Sequence, residues 1–190
     1  MNIKEIKIKN FKSLYDVSFC PGNINVFIGA NGSGKSSVLE AIGVLSAAMT
    51  DRVNNNSLQR KGVRLSTSSL YKSQFRSIER SMPTVDFAMS WKRNKNEYEY
   101  SVHLTTPADD DTWKYHSESV SKNGENVFGR SNRSSVQLNN KVGYYALSEK
   151  LNGEEYTDMG NYISGTGFIS RILLLCVEMW QILHRLRQSD

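Results

Sequence analysis

The hydrophobic period shifts along the chain, from two to about 3.6 and back, and each shift predicts an element. Near the N-terminus Ile6 and Ile8 alternate with Lys7 and Lys9, the period of a half-exposed strand. A second short strand is predicted over 15–19, after the Lys12-Ser13-Leu14 turn. Pro21-Gly22-Asn23 turns the chain again, and Ile24-Asn25-Val26-Phe27-Ile28 is a β-branched and aromatic run, predicted as a buried strand. The spacing then lengthens. Val38, Leu39, Ile42, Leu45 and Met49 predict a helix that ends near residue 50. From residue 84 the period returns to two, with strands predicted over 84–91 and 97–104 around a turn at 93–96. Another strand is predicted over 113–120, followed by Asn123-Gly124, a strong hairpin signal, and by short strands at 127–128 and 136–138. These stretches predict an antiparallel meander after the first helix. A last helix with a broad apolar face is predicted over 168–187, after a small-residue turn at 163–167.

Between the strand predicted at 24–28 and the first helix stands Gly29-Ala30-Asn31-Gly32-Ser33-Gly34-Lys35-Ser36, which fits G-x-x-x-x-G-K-[ST] at every fixed position. Strand, glycine-rich loop and helix is the context that this phosphate-binding motif requires. Gly32 and Gly34 lack a Cβ, so the backbone can take φ values closed to other residues and approach a phosphate closely. The N–H groups then line an anion-binding nest at the positive end of the helix. Lys35 is expected to reach the β- and γ-phosphates, and the Ser36 hydroxyl to ligate Mg²⁺. The candidate nucleotide-binding set is Gly29, Asn31, Gly32, Ser33, Gly34, Lys35, Ser36 and Ser37. A glycine-rich turn without a ligand is the competing reading, and the correct flanks on both sides weigh against it.

Composition adds bounds. The 190 residues suit one domain, and the formal net charge of +5 is compatible with a nucleic-acid partner without establishing one. Segment 51–83 is polar and basic, with seven Lys or Arg against Asp51 and Glu79. It reads either as a loop offered to nucleic-acid phosphates or as a solvated connection. Cys20 and Cys176 make no disulfide framework, no N-terminal signal is recognised, and no apolar run is long enough to span a bilayer. A soluble, cytoplasmic protein is expected. His103, His116 and His184 lack metal-ligand spacing.

The stretch from Ile6 to Phe19, together with Ile24 to Ile42 (strand, loop and helix start), resembles the ABC-type ATPases of the RecF/SMC group. It is most similar to their AAA-labelled, OLD-like branch, found in DNA repair and in prokaryotic defence systems. The resemblance is specific over roughly residues 1–50. It implies an α/β P-loop NTPase: the N-terminal part of an ABC-type head, with an antiparallel β subdomain after the first helix. It also implies that the Asn10-Phe11-Lys12-Ser13 turn lies beside the adenine, which makes Lys12 and Ser13 candidate base contacts. In the resembled group two heads sandwich ATP, so a homodimer or higher oligomer is implied, with a nuclease as a possible second subunit. Ile163-Ser164-Gly165-Thr166 is either the group's signature segment, with Ser164 and Gly165 facing the γ-phosphate of an opposite head, or a plain helix cap.

Hydrolysis in this fold needs an acidic pair at the end of an apolar strand. No such Asp-Glu follows four apolar residues. Glu178 reads as a helix-surface residue, His184 has no acidic pair before it, and Gln137 is a weak Mg²⁺-sensing candidate. The expectation is a chain that stops before its second lobe, as a fragment or a half-protein completed by a partner. Alone it is expected to bind nucleotide weakly and to be inactive. A P-loop GTPase is disfavoured because Asn94-Lys95-Asn96-Glu97 and Asn140-Lys141-Val142-Gly143 both fail the Asn-Lys-x-Asp pattern. A non-hydrolysing nucleotide-sensing or assembly module stays open as the alternative.

Overall fold

The computed structural model describes residues 2–22, 24–50, 52–75, 82–93, 95–107, 110–131 and 139–143. Their alternating apolar residues form six strands: β1 (Asn2–Phe11), β2 (Leu14–Phe19), β3 (Val85–Arg93), β4 (Asn96–Thr105), β5 (Lys114–Lys122) and β6 (Glu125–Ser131). All neighbours are antiparallel, in the order β2-β1-β3-β4-β5-β6. The N-terminal strand pair and the meander, separate in the sequence, are thus one sheet, joined where β1 meets β3. Register explains the join. Ile6 lies opposite Met89 and Ile8 opposite Phe87, so buried side chains of both strands share one face. Trp91 stacks on Tyr98 of β4, with ring centroids 5.5 Å apart. The opposite face is polar and carries ion pairs such as Lys9–Asp16 and His103–Asp86.

The helix predicted after the glycine-rich loop is α1 (Lys35–Thr50). Every residue from 41 to 49 is buried, more than one apolar stripe would explain. The helix lies between two partners. The sheet contributes the Tyr115 hydroxyl, which donates to the Ala48 carbonyl at 2.9 Å. Across the helix, a Cβ on Gly43 would stand 2.7 Å from the Lys61 carbonyl oxygen and 2.7 Å from Val63 Cγ2. That second wall follows α2 (Asn55–Arg60), which is started by a capping box between Asn54 and Ser57.

One expected strand is absent. Residues 24–28 form no ladder, and Ile24, Val26 and Ile28 are 82%, 63% and 91% exposed. Asn25 instead closes a local loop, accepting from the Gly22 N–H at 2.8 Å and donating to its carbonyl at 3.0 Å. Phe27 packs on Phe19 at 5.9 Å. A β-branched run becomes a strand only beside another strand, and among the described residues none pairs with this one. The strand predicted at 136–138, the helix at 168–187, the segment 163–167 and residues Gln137, Glu178 and His184 lie outside the described residues. Among the described residues, no helix is long and apolar enough to cross a membrane.

Candidate nucleotide site

The glycine-rich loop runs into α1 as its motif requires. Gly32 has φ 83° and Gly34 φ 93°, a region that L side chains rarely adopt. A Cβ on Gly29 would lie 2.6 Å from Ser33 Oγ, so the loop is also tight at its start. The Ser33 N–H donates to the Ala30 carbonyl at 3.2 Å, and the Val38 N–H donates to the Gly34 carbonyl at 3.0 Å, which opens the helix. Lys35 reaches back across the loop. Its ammonium donates to the carbonyls of Gly29 at 2.6 Å and Ala30 at 2.7 Å, and to Ser33 Oγ at 3.4 Å. Asn31 and Ser36 are exposed at the loop surface, and Ser37 is half-buried.

The turn between β1 and β2 packs against this loop. Ser13 Oγ donates to Ser37 Oγ at 2.9 Å, and a Cβ on Gly34 would be 3.0 Å from Ser13 Oγ. The turn is backbone-strained at two residues, Asn10 with φ 57° and Lys12 with φ 50°. It is held there by neighbours distant in sequence. Asn10 Nδ2 donates to the carbonyls of Thr84 and Met82 at 2.7 and 3.2 Å, and its Oδ1 accepts from the Ser73 N–H at 3.2 Å. The Lys12 N–H donates to the Tyr71 carbonyl at 3.0 Å. Its ammonium lies 5.4 Å from the Tyr71 ring centroid and 5.6 Å from that of Phe11.

Tyr71 closes the short 3₁₀ turn η1 (Ser68–Tyr71) and belongs to the third wall of the site. Residues 64–75 wrap back over the Lys12-Ser13 turn and border an open pocket of about 610 Å³. Three cations line it (Lys12, Arg64 and Lys72), together with the hydroxyls of Ser13, Ser37 and Ser66 and the apolar groups of Leu65, Leu70 and Phe75. Gln74, and Gly32 of the glycine-rich loop, complete the lining. Lys12 and Arg64 both ion-pair with Glu40, which projects from α1 and is 4% exposed. Arg64 Nε stands 2.5 Å from Glu40 Oε1, and the Lys12 ammonium meets Oε2.

Every motif residue described is therefore in one place, with Lys12 and Ser13 beside the loop. Ser164 and Gly165 lie outside the described residues. Sequence reasoning passed over Arg64, Lys72 and Glu40. The first two belong to the basic segment read either as a nucleic-acid loop or as a solvated connection, and residues 64–75 of it fold back onto the turn. Glu40 had a signal, a carboxylate in the apolar run Val38-Leu39-Glu40-Ala41-Ile42. Such a residue inside a buried helix needs a cation. No cluster of three or more His, Cys, Asp or Glu is placed to hold a metal among the described residues. Ser36 Oγ, exposed at the loop surface, is the side-chain oxygen that would hold a magnesium ion here, a hard cation that takes oxygen ligands.

Comparison with known proteins covers the same stretch. Residues 1–63 match the AAA ATPase domain. The chain is 44% identical over 59 residues to the DNA replication and repair protein RecF of Lysinibacillus sphaericus, covering 30% of this chain and 15% of that protein. It is 38% identical over 58 residues to RecF of Lactococcus lactis, covering 30% and 16%. RecF of Pseudomonas fluorescens is 43% identical over 53 residues, covering 27% and 14%. The alignments thus span about one sixth of these relatives. The match begins with β1 and ends at Val63, just before the cavity wall that carries Arg64. An antiparallel sheet carrying a helix started by a glycine-rich loop fits an α/β NTPase-like fold. Over its first 63 residues the chain is thus similar to the AAA ATPase domain, and over 53 to 59 residues to the RecF proteins.

Proposed function

We propose that this chain binds ATP with Mg²⁺ as the N-terminal part of an ABC-type ATPase head acting on DNA. The observation that carries this reading is the junction of three walls: the glycine-rich loop, the Lys12-Ser13 turn and the basic segment 64–75, around one cavity. In the proposed complex the N–H groups of loop 29–34 and the start of α1 face the phosphates. Lys35 exchanges its bonds with the Gly29 and Ala30 carbonyls for bonds to the β- and γ-phosphates. Ser36 ligates Mg²⁺, and Ser13 and Ser37 approach the phosphates or the ribose. Lys12 lies at the base, with Leu65, Leu70 and Phe75 as its apolar surroundings. Magnesium supplies charge neutralisation at the phosphates.

Hydrolysis belongs to a completed head. Glu40, the buried carboxylate of this site, is engaged by two cations and is not free to polarise water. Two heads would then sandwich ATP, with Ser164 and Gly165 facing the opposite nucleotide, so that γ-phosphate completes the interface and its loss releases it. The names of the RecF relatives favour repair as the output. An OLD-like defence role beside a nuclease subunit rests on resemblance alone, and nucleic-acid contact and a cytoplasmic site of action belong to the same proposal. The competing reading, a non-hydrolysing assembly module, draws on the engagement of Glu40.

The test is self-association of the 190-residue chain, and of any longer natural form, by analytical ultracentrifugation with and without ATP and Mg²⁺. Association that appears with ATP and disappears in Lys35→Ala is expected. ATP binding with an unchanged oligomeric state would remove the sandwich and leave a binding module.

A further inference from the structure

Arg64 and Lys12 come from segments 52 residues apart, yet one carboxylate holds both. Glu40 stands five residues after Lys35 on α1, and its two oxygens are divided between two cations, Oε2 to the Lys12 ammonium and Oε1 to Arg64 Nε. Its side chain is 4% exposed. A carboxylate so placed costs several kcal/mol unless it is paired, so the bridge is a condition of its burial. The cations differ in their surroundings. The Lys12 side chain is 14% exposed and boxed by the Phe11 and Tyr71 rings, whereas that of Arg64 is 74% exposed. An arginine that open samples many rotamers, and binding a ligand would cost it that freedom. Glu40 removes much of this freedom in advance, at Nε, beside the cavity.

From this geometry, and resting on the ATP reading of the cavity, we infer that Glu40 is the positioning residue of the nucleotide site: it holds Lys12 and Arg64 as a preorganised pair, Lys12 toward the base and Arg64 toward the nucleotide's anionic groups. The inference has a sign that separates it from simple electrostatics. Glu40→Gln makes the cavity more positive by one charge. If Glu40 were a bystander carboxylate, ATP would bind as tightly or more tightly, because an anion gains from the extra positive charge. If Glu40 positions the two cations, ATP binds less tightly despite the more favourable charge.

The experiment is equilibrium dialysis of ATP with Mg²⁺ against the 190-residue chain, as wild type, Lys35→Ala, Glu40→Gln, Arg64→Ala and the Glu40→Gln/Arg64→Ala double variant. Circular dichroism verifies that each is folded. Glu40→Gln and Arg64→Ala are each expected to weaken ATP about tenfold, the cost of one hydrogen bond to a charged group. The double variant is expected to lose clearly less than the product of the two, because the same contact is removed twice. Affinity that is unchanged or tighter in Glu40→Gln, or losses that multiply, would overturn the positioning role while the effect of Lys35→Ala keeps the ATP site. If wild type and Lys35→Ala bind ATP equally, the ATP reading itself falls and the inference falls with it. Should Glu40→Gln unfold, Arg64→Ala decides alone, since it truncates an exposed side chain, and unchanged affinity there overturns the inference.

Discussion

Asn10 shows how much of the site rests on single residues. At φ 57° it occupies a conformation that asparagine tolerates better than most residues, and it is 2% exposed. Its amide serves three backbone groups from segments more than 60 residues away. Asn10→Ala would take the amide donor from the Thr84 and Met82 carbonyls, while the Ser73 N–H keeps only the Asn10 backbone carbonyl at 3.3 Å. A loss of about 2–4 kcal/mol is expected, read from the urea midpoint with an unchanged slope. A second residue-level effect lies on the polar face of the sheet. Burial pushes the Asp86 carboxyl up, but hydrogen bonds from His103 and Thr84 and the His103 charge outweigh it, so Asp86 titrates below its ordinary range. The bond to Asp86 raises His103, against the smaller opposing effect of burial. The contribution of His103 is therefore complete below its unfolded value of about 6.5 and fades as pH rises through the raised folded value. That of Asp86 is present above about 3.9 and fades as pH falls through its lowered folded value. The pair helps most between about pH 4 and pH 6.5. Thermal scans should show wild-type Tm declining from about pH 6 to pH 8 relative to His103→Gln, whose profile is flat over that window.

At the level of elements, α1 sets helix propensity against space. Alanine is a better helix former than glycine by about 1 kcal/mol, so propensity alone favours Gly43→Ala. The new Cβ would meet the Lys61 carbonyl at 2.7 Å, a backbone atom that cannot rotate away. Space should win, and Gly43→Ala is expected to lower stability by about 1–3 kcal/mol, measured by chemical unfolding. Gly124 is the reverse case: nothing stands within 4 Å of its missing Cβ, but its φ of 84° follows Asn123 at 53° in the β5–β6 turn. This hairpin was readable from two letters, Asn123-Gly124. The strands of the meander were readable from alternation, and α1 from its spacing. Residues 24–28 were not, because periodicity reports what a segment can bury and says nothing of whether a partner strand stands beside it. The cavity wall at 64–75 was hidden for a related reason. Its few large apolar residues, Leu65, Leu70 and Phe75, have no period and stay exposed, and its placement depends on buried Tyr71 meeting Lys12 and Trp113, long-range contacts that no local window contains.

Across the whole molecule, the β5–β6 end of the sheet's buried face carries a second buried ionic group. Glu118 accepts from the Tyr100 hydroxyl at 2.7 Å and pairs with Arg130 at 2.7 Å. Arg130 in turn donates to the carbonyls of Asn139 and Val142 at 2.9 and 2.6 Å, and so ties residues 139–143 to β6. Burial, reinforced by Glu118, keeps the Tyr100 hydroxyl protonated far above its ordinary range. Arg130→Met should cost about 3–5 kcal/mol by leaving the buried Glu118 charge without its cation, and the double change Glu118→Leu/Arg130→Met should recover most of it in the same unfolding assay. The joining of β1 to β3 has a further consequence, in time. Ile8 pairs with Phe87, 79 positions later, whereas the β3–β4 and β5–β6 hairpins turn within a few residues. A chain emerging from the ribosome displays its glycine-rich loop early but cannot seat β1 until β3 has been made, roughly 4–16 s later at ordinary synthesis rates. Closing that long loop is the entropically costly step of folding. The candidate nucleotide site, which hangs from the end of β1, is therefore completed only after β3 has been made, although its residues are among the first to be translated.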